Sequence, residues 1–226
     1  MDDNKRGGFD ARFRNPSSFL LGGVSQSGKT TFAFNLLRSI DKLFQDPRCA
    51  QNVIYYYNVW QSSFDKARKE NLVKEWFNRL PTTEEFKTKT VPFAKKGGSV
   101  VVIDDFAEEL TTDILKVFTM LCHHTNTVVI LMTQNIFSKN KVFRDISLNT
   151  SYVVLFKNPR DQSQITHFAR QFAQNRSRDV VDAYYEATKN QFTYLLFDMH
   201  MKTPPDIQIR TNVLPGEGYP IVYRRT

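Results

Sequence analysis

Phe19-Leu20-Leu21-Gly22-Gly23-Val24-Ser25-Gln26-Ser27-Gly28-Lys29-Thr30-Thr31 is the stretch on which the fold turns. Three apolar residues lead into a loop of the form G-x-x-x-x-G-K-[ST], and Ala33, Leu36, Leu37 and Ile40 then recur at helical spacing. A strand, a glycine loop and a helix in that order form a phosphate cradle. The glycines let backbone N–H groups turn inward, and the helix N-terminus adds partial positive charge. Gly23, Ser25, Gln26, Ser27, Gly28, Lys29, Thr30 and Thr31 are therefore the expected nucleotide-binding set. Lys29 would reach the β- and γ-phosphates, and the Thr30 hydroxyl would bind Mg²⁺.

Working outward, Asn52–Tyr57, Ser99–Asp104, Thr127–Thr133 and Ser151–Phe156 read as further buried strands, separated by helical stripes. One stripe is Ile114, Phe118, Leu121 and Cys122; another is Ile165, Phe168, Ala169 and Phe172, preceded by Asp161 and Gln164 at capping-box spacing. This alternation predicts an α/β fold, a mainly parallel sheet flanked by helices. The run Val100-Val101-Val102-Ile103 ends in Asp104 and Asp105, at the sheet edge where ligands of such folds bind. Asp104 is the expected Mg²⁺ ligand, and Asp105 the group that orients or deprotonates a water. Gln134 ends the following strand and is the candidate sensor of the γ-phosphate. Gln61, past the second strand, is a candidate for the nucleotide's edge.

The rest of the chain is less explicit. Residues 1–18 are polar and are expected to be an arm, with the domain running from 19 to 226. A charged insertion, 65–96, is expected to decorate one sheet edge with a helix from Ala67 to Leu80. Residues 178–226 read as an extension of the same domain, a helix to about Thr188 and then added antiparallel strands. Lys plus Arg outnumber Asp plus Glu by 31 to 23 over 226 residues, a net charge of +8, which favours a polyanionic partner. No apolar run approaches a bilayer span of ~20 residues, so no membrane span and an intracellular location are expected. Cys49 and Cys122 stand in no metal-ligand spacing and read as reduced packing residues.

With loop, acidic strand and Gln134 in this order, the chain resembles the FtsK–HerA superfamily of DNA-pumping ATPases. It is similar, more narrowly, to viral genome-packaging ATPases of the poxvirus type, including those of adintoviruses and Maverick/polinton elements. The narrower resemblance is carried by Phe19–Thr31, Val100–Phe106, Thr133–Phe137, Ser147–Asn149, Val154–Asp161 and Arg210–Asn212, with Lys157-Asn158-Pro159-Arg160-Asp161 the sharpest. It implies a ring of subunits, a pentamer or hexamer, that hydrolyses ATP with Mg²⁺ and drives double-stranded DNA into a capsid. It also implies a capsid or portal-vertex partner, transient residence on the capsid, and a location in the nucleus or cytoplasm of an infected host cell. The implied strand order is 5-1-4-3-2, counting the loop strand first. Two features depart from the wider superfamily: Asp105 stands where many relatives carry Glu, and His123-His124-Thr125-Asn126 lacks the arginine several place before the sensor strand.

A ring ATPase needs a cation on the developing phosphate charge, usually from a neighbouring subunit. Arg144 is the first candidate and Arg160 the second. Lys139, Lys141 and Arg144, or Arg170, Arg176 and Arg178, are candidates for DNA phosphates. Two other functions stay open on the sequence: a small-molecule kinase with an arginine lid, and a nucleotide-gated DNA-binding or scaffold protein with little turnover. A GTPase lacks its base-reading motif, since Asn140-Lys141 is followed by Val142-Phe143.

Overall fold

The computed structural model describes residues 9–137 and 140–224. The first half contains β1 (Ser17–Gly22), α1 (Lys29–Arg38), α2 (Ile40–Leu43), β2 (Val53–Tyr57), α3 (Ser62–Lys69), β3 (Glu75–Phe77), α4 (Thr83–Thr90) and β4 (Ser99–Asp104). The helix after β4 runs as α5 (Thr112–Lys116), a π turn (Val117–Leu121) and α6 (Cys122–His124). Then follow β5 (Thr127–Thr133), α7 (Lys141–Leu148), β6 (Tyr152–Phe156), α8 (Ser163–Phe172), α9 (Ser177–Ala187), β7 (Tyr194–Asp198), β8 (Ile209–Thr211) and β9 (Ile221–Val222).

These strands form one sheet of order β3-β2-β4-β5-β1-β6-β7-β8-β9. β3 through β6 in that order are parallel, and β7, β8 and β9 are antiparallel additions. The implied order 5-1-4-3-2 is present as β6-β1-β5-β4-β2. Every residue of β1, β4, β5 and β6 is buried, the pattern of a sheet covered on both faces. α1 and α3 pack Phe32, Leu36, Phe64 and their neighbours on one face. The other face is covered by apolar residues of α4 to α9, among them Phe86, Ile114, Phe143, Ile165 and Val180.

Two expectations need correction. The helix expected from Ala67 to Leu80 ends at Lys69. Asn71 takes a left-handed φ of 53°, and the Leu72 N–H donates back to the Ala67 carbonyl at 3.1 Å, a helix-terminating turn. The chain then enters β3, parallel to β2, where Trp76 packs on Phe64 and Tyr55 at centroid distances of 5.4 and 4.9 Å. Aromatic pairs of this kind contribute ~1 kcal/mol each beyond area burial. Lys66, Arg68 and Lys69 do lie on helix α3, whereas Glu75 belongs to the edge strand β3.

The second correction concerns the arm. Residues 1–8 lie outside the described residues, but Phe13 is buried and packs on Phe19, Phe44 and Tyr152. Backbone bonds run from Phe13 N–H to the Leu43 carbonyl and from Gln45 N–H to the Phe13 carbonyl. With β1 starting at Ser17, the folded domain begins ahead of Phe19. Phe9 and Phe13 stand alike in a polar segment, yet Phe9 is exposed and Phe13 buried, so only contacts show which of the two belongs to the core.

Among the described residues no helix is long and apolar enough to cross a membrane. Cys49 and Cys122 are buried free thiols, and burial pushes both up to about 11.

Candidate functional site

The parallel strands end at one edge of the sheet. Gly22 pairs with Thr133, Met132 with Asp104, and Asp104 with Tyr57, so the residues just past each strand meet. Ser25, Gln26, Lys29 and Thr30 of the phosphate loop line a cleft of about 240 Å³ together with Gln61, Asp104, Asp105 and Gln134.

The loop has the form its motif predicts. Gly28 adopts φ 109° and leads into α1, whose first turn has no acidic residue and no side-chain cap. Its N–H groups are thus left for an anion. The Ser27 hydroxyl is buried and unpaired by protein, an orphan that a phosphate oxygen would satisfy. Gln26 sits at φ 64°. Lys29 Nζ donates to the carbonyls of Gly23 and Val24 at 2.5 and 3.0 Å. Burial lowers the Lys29 pKa, and the Asp104 and Asp105 carboxylates oppose that shift. Thr31 is exposed on the first turn of α1 and does not line the cleft.

Asp104 is buried at the end of β4. Desolvation pushes its carboxyl up to about 6, with Asp105 adding repulsion and the Tyr55 hydrogen bond and Lys29 opposing. The Tyr55 hydroxyl donates to Asp104 Oδ2 at 2.9 Å, which orients the carboxylate. Burial and that carboxylate in turn hold the Tyr55 phenol well above its usual value. Two hard oxygen donors in one cleft, Thr30 and Asp104, suit Mg²⁺, which takes few protein ligands and otherwise keeps water and phosphate oxygens. Among the described residues no group of three or more His, Cys, Asp or Glu could hold a metal elsewhere.

Asp105 is exposed and adopts a left-handed φ of 64°, a conformation that costs about 1–3 kcal/mol and clusters at functional sites. Its N–H donates to the Met132 carbonyl at 3.2 Å. Gln134 Nε2 reaches the Asp105 carboxylate at 3.3 and 3.5 Å, so second acid and sensor candidate touch. Gln164 does not close a capping box: it donates to Asp161 Oδ2 and accepts from the Ile136 N–H at 3.2 Å. The segment after Gln134 is thereby tied to α8.

Arg144 and Arg160 do not line the cleft of their own chain. α7 buries Phe143 and Ile146 and leaves Arg144 exposed, while Arg160 lies in a loop organised by Asn158 Oδ1, which accepts from the N–H groups of Arg160 and Asp161. Lys141, Arg170, Arg176 and Arg178 are all exposed; Lys139 lies outside the described residues. The strand pattern of Asn52–Tyr57 does not by itself reveal the bond of Tyr55 to Asp104. The available signal was a hydroxyl-bearing aromatic on a strand adjacent to the acidic one.

Sheet order, glycine loop and acidic strand define a P-loop nucleotide-binding α/β fold. No protein-family model matches the chain, and no curated protein does. Among solved structures it is similar to EssC (ATPases 2 and 3) from Geobacillus thermodenitrificans, at 16% identity over 66% of this chain and 33% of that one, TM-score 0.48. It is also similar to the cytoplasmic domain of EssC, at 18% identity over 66% and 32%, TM-score 0.44. A KaiC-like protein from Pyrococcus horikoshii aligns at 14% identity over 92% of this chain and 89% of that one, TM-score 0.46. The chain spans about a third of the length of the EssC chains it matches. At these scores the fold assignment rests on the chain's own sheet order and loop.

Proposed function

We propose that this chain is an ATP-hydrolysing translocase of double-stranded DNA that works as an oligomeric ring and packages a viral genome into a capsid. The observation that carries hydrolysis is the contact of Gln134 with Asp105 across the cleft shared by Lys29, Thr30 and Asp104. An acid and an amide side by side can hold a water, where a kinase would need room for an acceptor. Asp105 takes the proton of that water and Gln134 orients it; Lys29 and the loop N–H groups bear on the phosphate oxygens. Mg²⁺, when held by Thr30 and Asp104, supplies charge neutralisation on the β- and γ-phosphates.

The DNA reading is supported by the net charge of +8 and by exposed Lys141 on the helix following Gln134. Arg144, outside its own cleft, is the proposed cation supplied to a neighbouring subunit. The resemblance to packaging ATPases supports the capsid partner and the infected-cell setting. ATP hydrolysis by the full chain, with and without linear double-stranded DNA and beside Lys29→Ala, tests the proposal. Turnover stimulated by DNA and lost in the variant is expected. Turnover indifferent to DNA would favour a kinase, and nucleotide and DNA binding without turnover in any oligomer would favour a scaffold.

A further inference from the structure

We propose that the nucleotide's purine base lies on the ring of Phe192, in a groove between the phosphate loop and Pro159. The inference rests on the phosphate-loop reading and deepens it. A triphosphate laid along the loop has its terminal phosphate at Lys29, Asp104, Asp105 and Gln134, on the β5–β4 side of β1. The nucleoside then leaves on the opposite side, toward β6 and β7. A second hollow of about 370 Å³ lies there. It shares Ser25 and Gln26 with the acidic cleft and continues to Lys157, Pro159, Gln191 and Phe192.

Phe192 is an unusual residue for a turn. The residue is 63% exposed and its backbone sits at φ 63°, where a bulky side chain is strained. It is nevertheless held tightly to the loop: a Cβ placed on Gly28 would meet Phe192 Cα and Cβ at 3.3 Å. Tyr194, two residues on, packs edge-on against Phe32 of α1 at 4.7 Å, so ring and loop share one rigid support. The opposite wall is equally fixed, because the Asn158 N–H donates to the Tyr184 hydroxyl at 2.9 Å and that hydroxyl donates to the Phe156 carbonyl at 2.9 Å. An exposed ring on a strained, immobilised backbone beside a phosphate site offers a π-face for base stacking. The Gln191 amide, with donor and acceptor, can pair with a purine edge.

Calorimetric titration of the full chain with ATP, ADP and inorganic tripolyphosphate, each with Mg²⁺, separates base from phosphate binding. Phe192→Ala is expected to weaken ATP and ADP roughly ten-fold or more while leaving tripolyphosphate unchanged; Phe192→Trp is expected to keep the affinity. Equal weakening of all three ligands would overturn the proposal and make Phe192 a support of the loop. No change in any of them, with Lys29→Ala still weakening all three, would put the base elsewhere and leave the phosphate site intact. If the unmodified protein binds none of the three, the phosphate-loop reading itself falls, and this inference with it.

Discussion

On the β5–β4 side the phosphate loop faces Asp104, Asp105 and Gln134, each the last residue of a buried strand or the next one along. On the β6–β7 side it faces Pro159 and Phe192, exposed residues of two loops. Under the proposed function, the difference matches what each side would have to do. Proton transfer and metal binding require atoms fixed to a fraction of an ångström, and strands paired on both sides supply that. An apolar shelf needs only a surface at roughly the right height. The cost falls on the strand side, where a carboxylate is buried before any cation arrives and its pKa rises to about 6.

Beyond both lies the antiparallel flank, where β7 and β8 are tied by a buried ion pair, Arg210 to Asp198 at 2.8 Å. Asp198 also accepts from Thr203 Oγ and the His200 N–H, and Arg210 donates to the Ala11 carbonyl. If this flank is a support and not part of the site, Arg210→Ala should destabilise the fold by about 3–5 kcal/mol, since one buried charge is left alone. Denaturant melts would read this. Reduced nucleotide affinity at unchanged stability would break the division between flank and site.

Next in size is the loss expected at the strand side. Asp105→Asn should lower turnover by about 10²-fold or more with nucleotide affinity unchanged, in steady-state and binding measurements on the same preparation. An affinity loss of similar size would make Asp105 a binding group and its strained backbone unrelated to water activation.

Asp104→Asn should abolish Mg²⁺-dependent turnover and yet stabilise the nucleotide-free protein. An acid whose pKa is raised by folding, here from 3.8 to about 6, costs no stability below the unfolded value. The cost accumulates between about pH 4 and 6 and is complete above. Melts at pH 8 should therefore show a gain of up to about 3 kcal/mol, fading toward pH 4. A loss of stability at pH 8 would show that the Lys29 charge depends on Asp104 more than burial penalises it.

The smallest effect concerns Tyr55. Tyr55→Phe removes the donor that orients Asp104 and should raise the Mg²⁺ concentration for half-maximal nucleotide binding by about ten-fold. Binding without Mg²⁺ should not change. Equal loss with and without Mg²⁺ would return Tyr55 to the packing role its buried position suggests.

The phosphate loop, the acidic strand and five parallel strands were legible because each is a contiguous pattern: a glycine spacing, a run of four apolar residues ending in two acids, a helical stripe. The segment 67–80 misled because its charge spacing suits a helix surface and a sheet edge equally, and Trp76 settled on Tyr55 and Phe64. Gln164 has the spacing of a capping box, but its amide bonds the Ile136 backbone.

The sequence by itself determined a strand-loop-helix phosphate cradle and an apolar strand ending in two acids, because backbone geometry and local patterning require no distant partner. Tertiary structure alone decided that Gln134 would touch Asp105, that Tyr55 would hold Asp104, and that Phe192 would lie against Gly28. Those contacts join residues far apart in the chain, and they depend on which strands become neighbours in the sheet, a choice made only when distant segments pack.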